Sequence, residues 1–223
     1  MKIRRWTGVL ALVLALTLAA GCGKTPAPSS GGEPASTPAK AERVRITDEA
    51  VLDQVWKDYL DLSVFTIQRN FDSPSRLQIE YAIVYCWYSF QRSGGAQELA
   101  PAGAEDDAQL ILPAETMSRL LKRYFDLEIT SFAGARPQSY FGGISYREET
   151  GDFLVSPSSN PEVAQGNPPG DDNPWDMYFE EYWDNGDGTT TAVIALRDSQ
   201  DAAPTYTRTI TFGKRENGEL YWK

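Results

Sequence analysis

The feature that most constrains this chain is a change of period near Glu128. Before it, apolar residues recur three and four positions apart; after it, they recur at every second position. The first spacing lays a stripe along one side of a helix, and the second puts alternate side chains on one face of a strand. Helices followed by strands joined through tight turns predict an α+β fold: N-terminal helices packed on a curved antiparallel β-meander sheet of about six strands.

Three helices are expected. Thr47-Asp48 caps the first, with Glu49 in its first turn; Val51, Leu52, Val55, Trp56, Tyr59 and Leu62 form its apolar side, and the pattern runs on toward Phe71. The second starts at Asp72-Ser73-Pro74, has Arg76 to Arg92 as its body and stops at Gly94-Gly95. Leu77, Ile79, Tyr81, Ile83 and Tyr85 also alternate as in a strand, but a stretch of ~17 residues between cap and glycine stop is too long for one. A small-residue, acidic loop covers 93–108. After Pro113 the third helix runs from Ala114 to Phe125 and buries Met117, Leu120, Leu121, Tyr124 and Phe125.

Strands are predicted over 140–147, 152–156, 176–184, 189–198, 205–214 and 219–223. Asn185-Gly186-Asp187-Gly188 and Glu216-Asn217-Gly218 mark two of the turns. The expected inward faces hold Met177, Phe179 and Trp183, then Ala192, Ile194 and Leu196, then Ile210 and Phe212, then Leu220 and Trp222. Residues 157–175 form a Pro/Asn/Asp/Gly loop, long for a compact domain.

The N-terminus reads as an address. Lys2, Arg4 and Arg5 precede an apolar run from Gly8 to Ala20, too short to span a ~30 Å hydrocarbon core. The run ends in Leu18-Ala19-Ala20-Gly21-Cys22, which resembles the lipobox of bacterial lipoproteins. That resemblance implies a signal peptide over 1–21, a diacylglyceryl group on the sulfur of Cys22, and a protein anchored by its lipid to the outer face of the cell membrane. Residues 22–43 then form the lipidated cysteine and a flexible Pro/Ala/Ser linker, of roughly 25 Å average reach, and 44–223 a single globular domain. Loss of three positive charges with the signal peptide takes the net charge from −10 to about −13. Such a surface repels phosphate polymers, so no nucleic-acid partner is expected; the expected partners are the membrane, through the lipid, and a protein or cell-wall glycan.

Two further resemblances concern the folded part. The order of elements and the aromatic content are similar to NTF2-like cone folds, a likeness of layout that carries no function. Ile111-Leu112-Pro113 leading to Tyr124-Phe125, then Tyr140 to Gly151, then paired strands ending at Trp222, resemble the C-terminal half of uncharacterised lipoproteins from clostridia-type Gram-positive bacteria. That family brings no catalytic residues.

The chain has no histidine. This excludes Ser-His-Asp and Cys-His nucleophilic sites and the usual zinc ligand sets. Ser118 and Lys122 are one residue too far apart for a Ser-x-x-Lys motif. Gly23-Lys24-Thr25 imitates the end of a P-loop, but Leu18 stands where the first glycine belongs. Asp171, Asp172 and Asp176 in the long loop are weak calcium candidates, and Asp184, Asn185 and Asp187 at a hairpin tip weaker ones, since turns favour Asp and Asn for backbone reasons alone. No cofactor is expected. Among acids, Glu180 and Glu181 are neighbours on one strand and point apart, leaving Glu148 or Asp152 as a partner for Glu180 in a hydrolase. Cys86 reads as a core thiol.

The aromatic residues are the most suggestive feature. Alternation puts Tyr178 and Tyr182 on one face, opposite Phe179 and Trp183. Tyr140, Trp175, Tyr178 and Tyr182 are therefore the candidate binding surface, suited to stacking on a sugar or meeting a protein. The leading expectation is a non-enzymatic binding or interaction module; the alternatives are a carbohydrate-active hydrolase using acidic residues and a small-ligand-binding cone. The anchor is directly testable: Cys22→Ser is expected to release the protein into the medium, read by fractionation and immunoblot, and undiminished membrane retention would exclude it.

Overall fold

Asp48 begins the first helix as its cap predicts, its Oδ1 accepting from the Ala50 amide at 2.9 Å. A computed structural model describes residues 42–66, 78–103, 109–137, 143–166, 177–197 and 204–223, all within the compact unit Lys40–Lys223. The signal segment, Cys22 and the linker up to residue 41 lie outside the described residues.

Helix α1 (Glu49–Val55) passes through a π turn at Trp56–Leu60 into α2 (Asp61–Thr66). A π turn closes i→i+5 bonds and shifts the ladder by one residue. The Tyr85 hydroxyl lies 3.0 Å from the Asp58 carbonyl and 3.1 Å from that of Tyr59, one donor shared by two acceptors of the turn. Tyr85 belongs to α3 (Ile79–Arg92), which ends as predicted: Gly94 takes a φ of 87°, a conformation that costs glycine no Cβ clash. A 3-10 turn follows at Gly95–Glu98. Helix α4 (Ala114–Phe125) has its predicted bounds and buries Met117, Leu121, Tyr124 and Phe125, with Leu120 partly covered. Its C-cap is Asp126, whose carboxylate meets Lys122 at 3.0 Å and Arg215 at 3.3 Å.

The strands are β1 (Val44–Arg45), β2 (Ala100–Pro101), β3 (Leu110–Leu112), β4 (Ile144–Arg147), β5 (Asp152–Val155), β6 (Met177–Asp184), β7 (Thr189–Leu196), β8 (Tyr206–Lys214) and β9 (Leu220–Trp222). The fold is α+β, but the strands divide between two antiparallel sheets instead of lying in one. One has the order β1-β6-β7-β8-β9 and the other β2-β3-β5-β4. The reason is pairing: β5 is flanked on both sides, by β4 and by β3, while β6 takes β1 as its outer neighbour. Strands of two or three residues, such as β1, β2 and β3, are too short to show a period. The expected 157–175 loop contains a short helix, α5 (Pro161–Gln165).

One cluster of buried side chains draws on the helices and both sheets, from Leu112 and Phe153 to Phe212 and Trp222. Tyr85 stands at its centre, edge-on to Tyr124 and Phe125 at 5.4 Å and to Trp222 at 5.9 Å, arrangements that suit ring quadrupoles. Cys86 is buried beside it, and burial pushes its thiol well above the usual range. The buried Asp61 and the partly buried Arg92 form an ion pair at 2.8 Å; Arg92 also donates from Nε and Nη2 to the Val163 carbonyl, tying α2, α3 and α5 together.

Strand β6 corrects one expected face. Met177 and Phe179 point inward as predicted, but Tyr182 takes the place expected for Trp183. Phe179 pairs with Ile194 and Glu181 with Val193, so Glu180 is an extra, unpaired residue. One added residue reverses the inward and outward parity of everything after it. Tyr182 thus faces the core opposite Ala192 and is 3% exposed.

Tyr85→Phe keeps the ring packing but removes the donor from two carbonyls of the π turn. It is expected to cost about 1–2 kcal/mol, measured as a lower midpoint in urea at unchanged slope.

Candidate functional site

Helix α1 carries a wider apolar arc than the core consumes. Leu52, Val55, Trp56 and Tyr59 pack inward, whereas Val51 is left 39% exposed. Val51, together with the outer edge of the buried Val55, forms one wall of a cleft of about 620 Å³. The opposite wall comes from the five-stranded sheet, through Tyr182, Thr190 and Leu220, and Ile46 after β1 closes one end. The volume falls within the range of small-molecule sites. Around the apolar walls runs a charged rim: Asp58 from the π turn, Arg123 from α4, and Asp184, Lys214 and Glu219 from the sheet and its turns.

The polar groups of this cleft are held in place. The Tyr59 hydroxyl donates to the Leu220 carbonyl at 3.0 Å, joining the π turn to β9. The Tyr182 hydroxyl donates to Thr190 Oγ1 at 3.0 Å. Burial pushes the Tyr59 hydroxyl up to about 12, with the Asp58 carboxylate adding to the shift. Burial also raises Tyr85, Tyr124 and Tyr182. On the rim, Lys214 Nζ lies 3.4 Å from Asp184 Oδ2 and Arg123 Nη2 lies 3.8 Å from Glu219 Oε1. Asp58 Oδ2 accepts from the Gln54 amide at 2.6 Å.

The residues singled out from the sequence do not gather into one surface. Tyr140 and Trp175 lie outside the described residues. Tyr182 is a core residue, for the bulge reason given above, and so is not part of an exposed patch. Tyr178 is half-buried on the other face of β6, with the Arg197 guanidinium 4.2 Å over its ring. That face also carries Trp183, whose ring lies 4.3 Å from the Arg43 guanidinium and 5.8 Å from that of Arg45, and whose Nε1 donates to Glu181 at 2.9 Å.

The acids are likewise dispersed. Asp171, Asp172 and Asp176 lie outside the described residues. At the hairpin tip, Asp184 accepts from the Gly186 amide and Asp187 from the Thr189 amide and hydroxyl, so both serve the turn. Among the described residues no group of three or more Cys, Asp or Glu is placed to hold a metal ion. Glu148 and Asp152 belong to the hairpin of the four-stranded sheet, whereas Glu180 is on β6 of the other sheet, so the hydrolase pair is not assembled across one sheet. Glu148 instead accepts from the Gly134 amide at 2.9 Å, and Asp152 faces the Ala114 amide at the start of α4.

The comparisons with known proteins match nothing: no family model, no curated protein and no solved structure. Sequence reasoning missed the cleft because its walls come from α1 and from strands more than a hundred residues later. The surplus apolar position Val51 was the one local sign of it.

The tyrosine environment sets an alkaline limit. The folded Tyr59 hydroxyl titrates near 12 and the unfolded one near 10, so the unfolded state releases its proton first. The contribution is fully present below about pH 10 and is lost as pH rises toward 12. Tyrosinate absorbance is expected to show Tyr59, Tyr85, Tyr124 and Tyr182 ionising together with loss of the near-ultraviolet circular dichroism. Titration of all eleven tyrosines near pH 10 with the fold intact would contradict this.

Proposed function

We propose that this chain is a lipid-anchored, extracytoplasmic binding module that holds a small amphipathic ligand in the cleft between α1 and the five-stranded sheet. The observation that carries the reading is a cleft of ligand size with apolar walls from two layers and a rim of charged groups. The reading joins the small-ligand alternative to the binding-module expectation, with an open cleft in place of an enclosed cone. The π turn adds support, since such turns are frequent at functional sites, and here Tyr85 pins it. Two of the rim carboxylates are matched by cations, Asp184 by Lys214 and Glu219 by Arg123, which favours holding a ligand over acid–base hydrolysis. The anchor rests on the Cys22 motif. No helix among the described residues is long and apolar enough to cross a membrane.

An uncharged apolar dye tests the seat. N-phenyl-1-naphthylamine is expected to brighten on binding the full chain. Val51→Asp, at an exposed position that costs the fold little, should weaken its binding by about tenfold by putting a charge on an apolar wall. Equal brightening with the variant would remove the cleft as the site.

A further inference from the structure

We infer that the ligand of this cleft carries a cationic head, an ammonium or guanidinium group, seated on Asp58, with its apolar body against Val51 and Val55; this rests on the reading of the cleft as a ligand seat. The rim holds three carboxylates but two cations, and the cations are already spoken for. Lys214 lies 3.4 Å from Asp184 and Arg123 lies 3.8 Å from Glu219. Asp58 has a neutral partner, the Gln54 amide on Oδ2, and no cation within ion-pair distance among the described residues. A carboxylate at the mouth of an apolar cleft without a counter-charge attracts a cation and repels an anion.

The geometry sets the ligand's outline. Val51, Val55 and Asp58 stand at i, i+4 and i+7 and all line the cleft, so they follow one side of the helix. Seven residues at 1.5 Å each place the carboxylate roughly 10 Å along the axis from the first valine. An alkyl chain of about that length ending in a positive head spans the apolar wall and reaches the acid. The Asp58 backbone is also fixed in advance, because its carbonyl is held by the Tyr85 hydroxyl, so only the carboxylate's own side chain is left to order on binding.

The test titrates the full chain with three probes sharing one tail: octyltrimethylammonium, octyl glucoside and octyl sulfate, each below its micelle threshold, followed by calorimetry and by amide NMR shifts of α1. The expected order is ammonium tightest and sulfate weakest. Asp58→Asn, which keeps an acceptor for Gln54, is expected to weaken the ammonium about fivefold, as for one exposed charge pair, and to leave the glucoside unchanged. Tighter binding of the sulfate, or an Asp58→Asn variant that binds the ammonium as well as the parent, overturns the cationic head while leaving the cleft as a seat. A carbodiimide cross-link from Asp58 to Lys24 or Lys40 would overturn it by showing the chain's own N-terminal segment as the occupant. If neither the three probes nor the dye bind, the seat itself is refuted.

Discussion

The shared hydrogen bond from Tyr85 to the Asp58 and Tyr59 carbonyls is the constraint on which this structure turns. A π turn leaves backbone acceptors off the regular ladder, and acceptors buried without a donor are costly. One hydroxyl on the neighbouring helix answers for both. Its ring is locked among Tyr124, Phe125 and Trp222, so the donor cannot wander. From that fixed turn Tyr59 reaches across to the Leu220 carbonyl of β9, and Asp58 is turned out to the rim. Core, sheet and cleft are thus linked through two tyrosine hydroxyls.

Elements whose ends carry their own chemistry were readable from the residues. Helix α4 has its predicted bounds because Pro113 opens it and its apolar positions keep a helical period. The end of α3 follows from Gly94, and the β6–β9 meander from its Asn-Gly turns. The unreadable parts share a cause: each depends on a partner distant in sequence. Glu180 and Glu181 are chemically alike, so nothing local says that Glu180 is the extra residue of a bulge. That single insertion decides that Tyr182 is core and Trp183 is outside.

The site was harder to read than the fold for the same reason. Counting in twos puts Tyr178 and Tyr182 on one face, and the bulge places them on opposite faces. The cleft, in contrast, is assembled by α1 and its π turn, the end of α4 and the ends of four strands, β6 to β9. Its polar members are ordinary surface residues in the sequence. Only a helix with more apolar side chains than a single stripe requires hinted that something besides the core meets it.

Two of the four sheet edges, β1 and β2, have a consequence for crowded copies of this protein. Edge strand β1 is two residues long, has the Arg43 and Arg45 guanidiniums over the Trp183 ring, and lies against a bulge whose Glu180 carbonyl accepts from Arg45 at 3.1 Å. The edge strand β2 is equally short and contains Pro101, which has no amide hydrogen to offer. Neither of these two short strands offers a long row of open backbone groups on which another chain can continue the sheet. Self-association by strand addition onto β1 or β2 is therefore discouraged, which helps copies held close together to stay separate at those two edges.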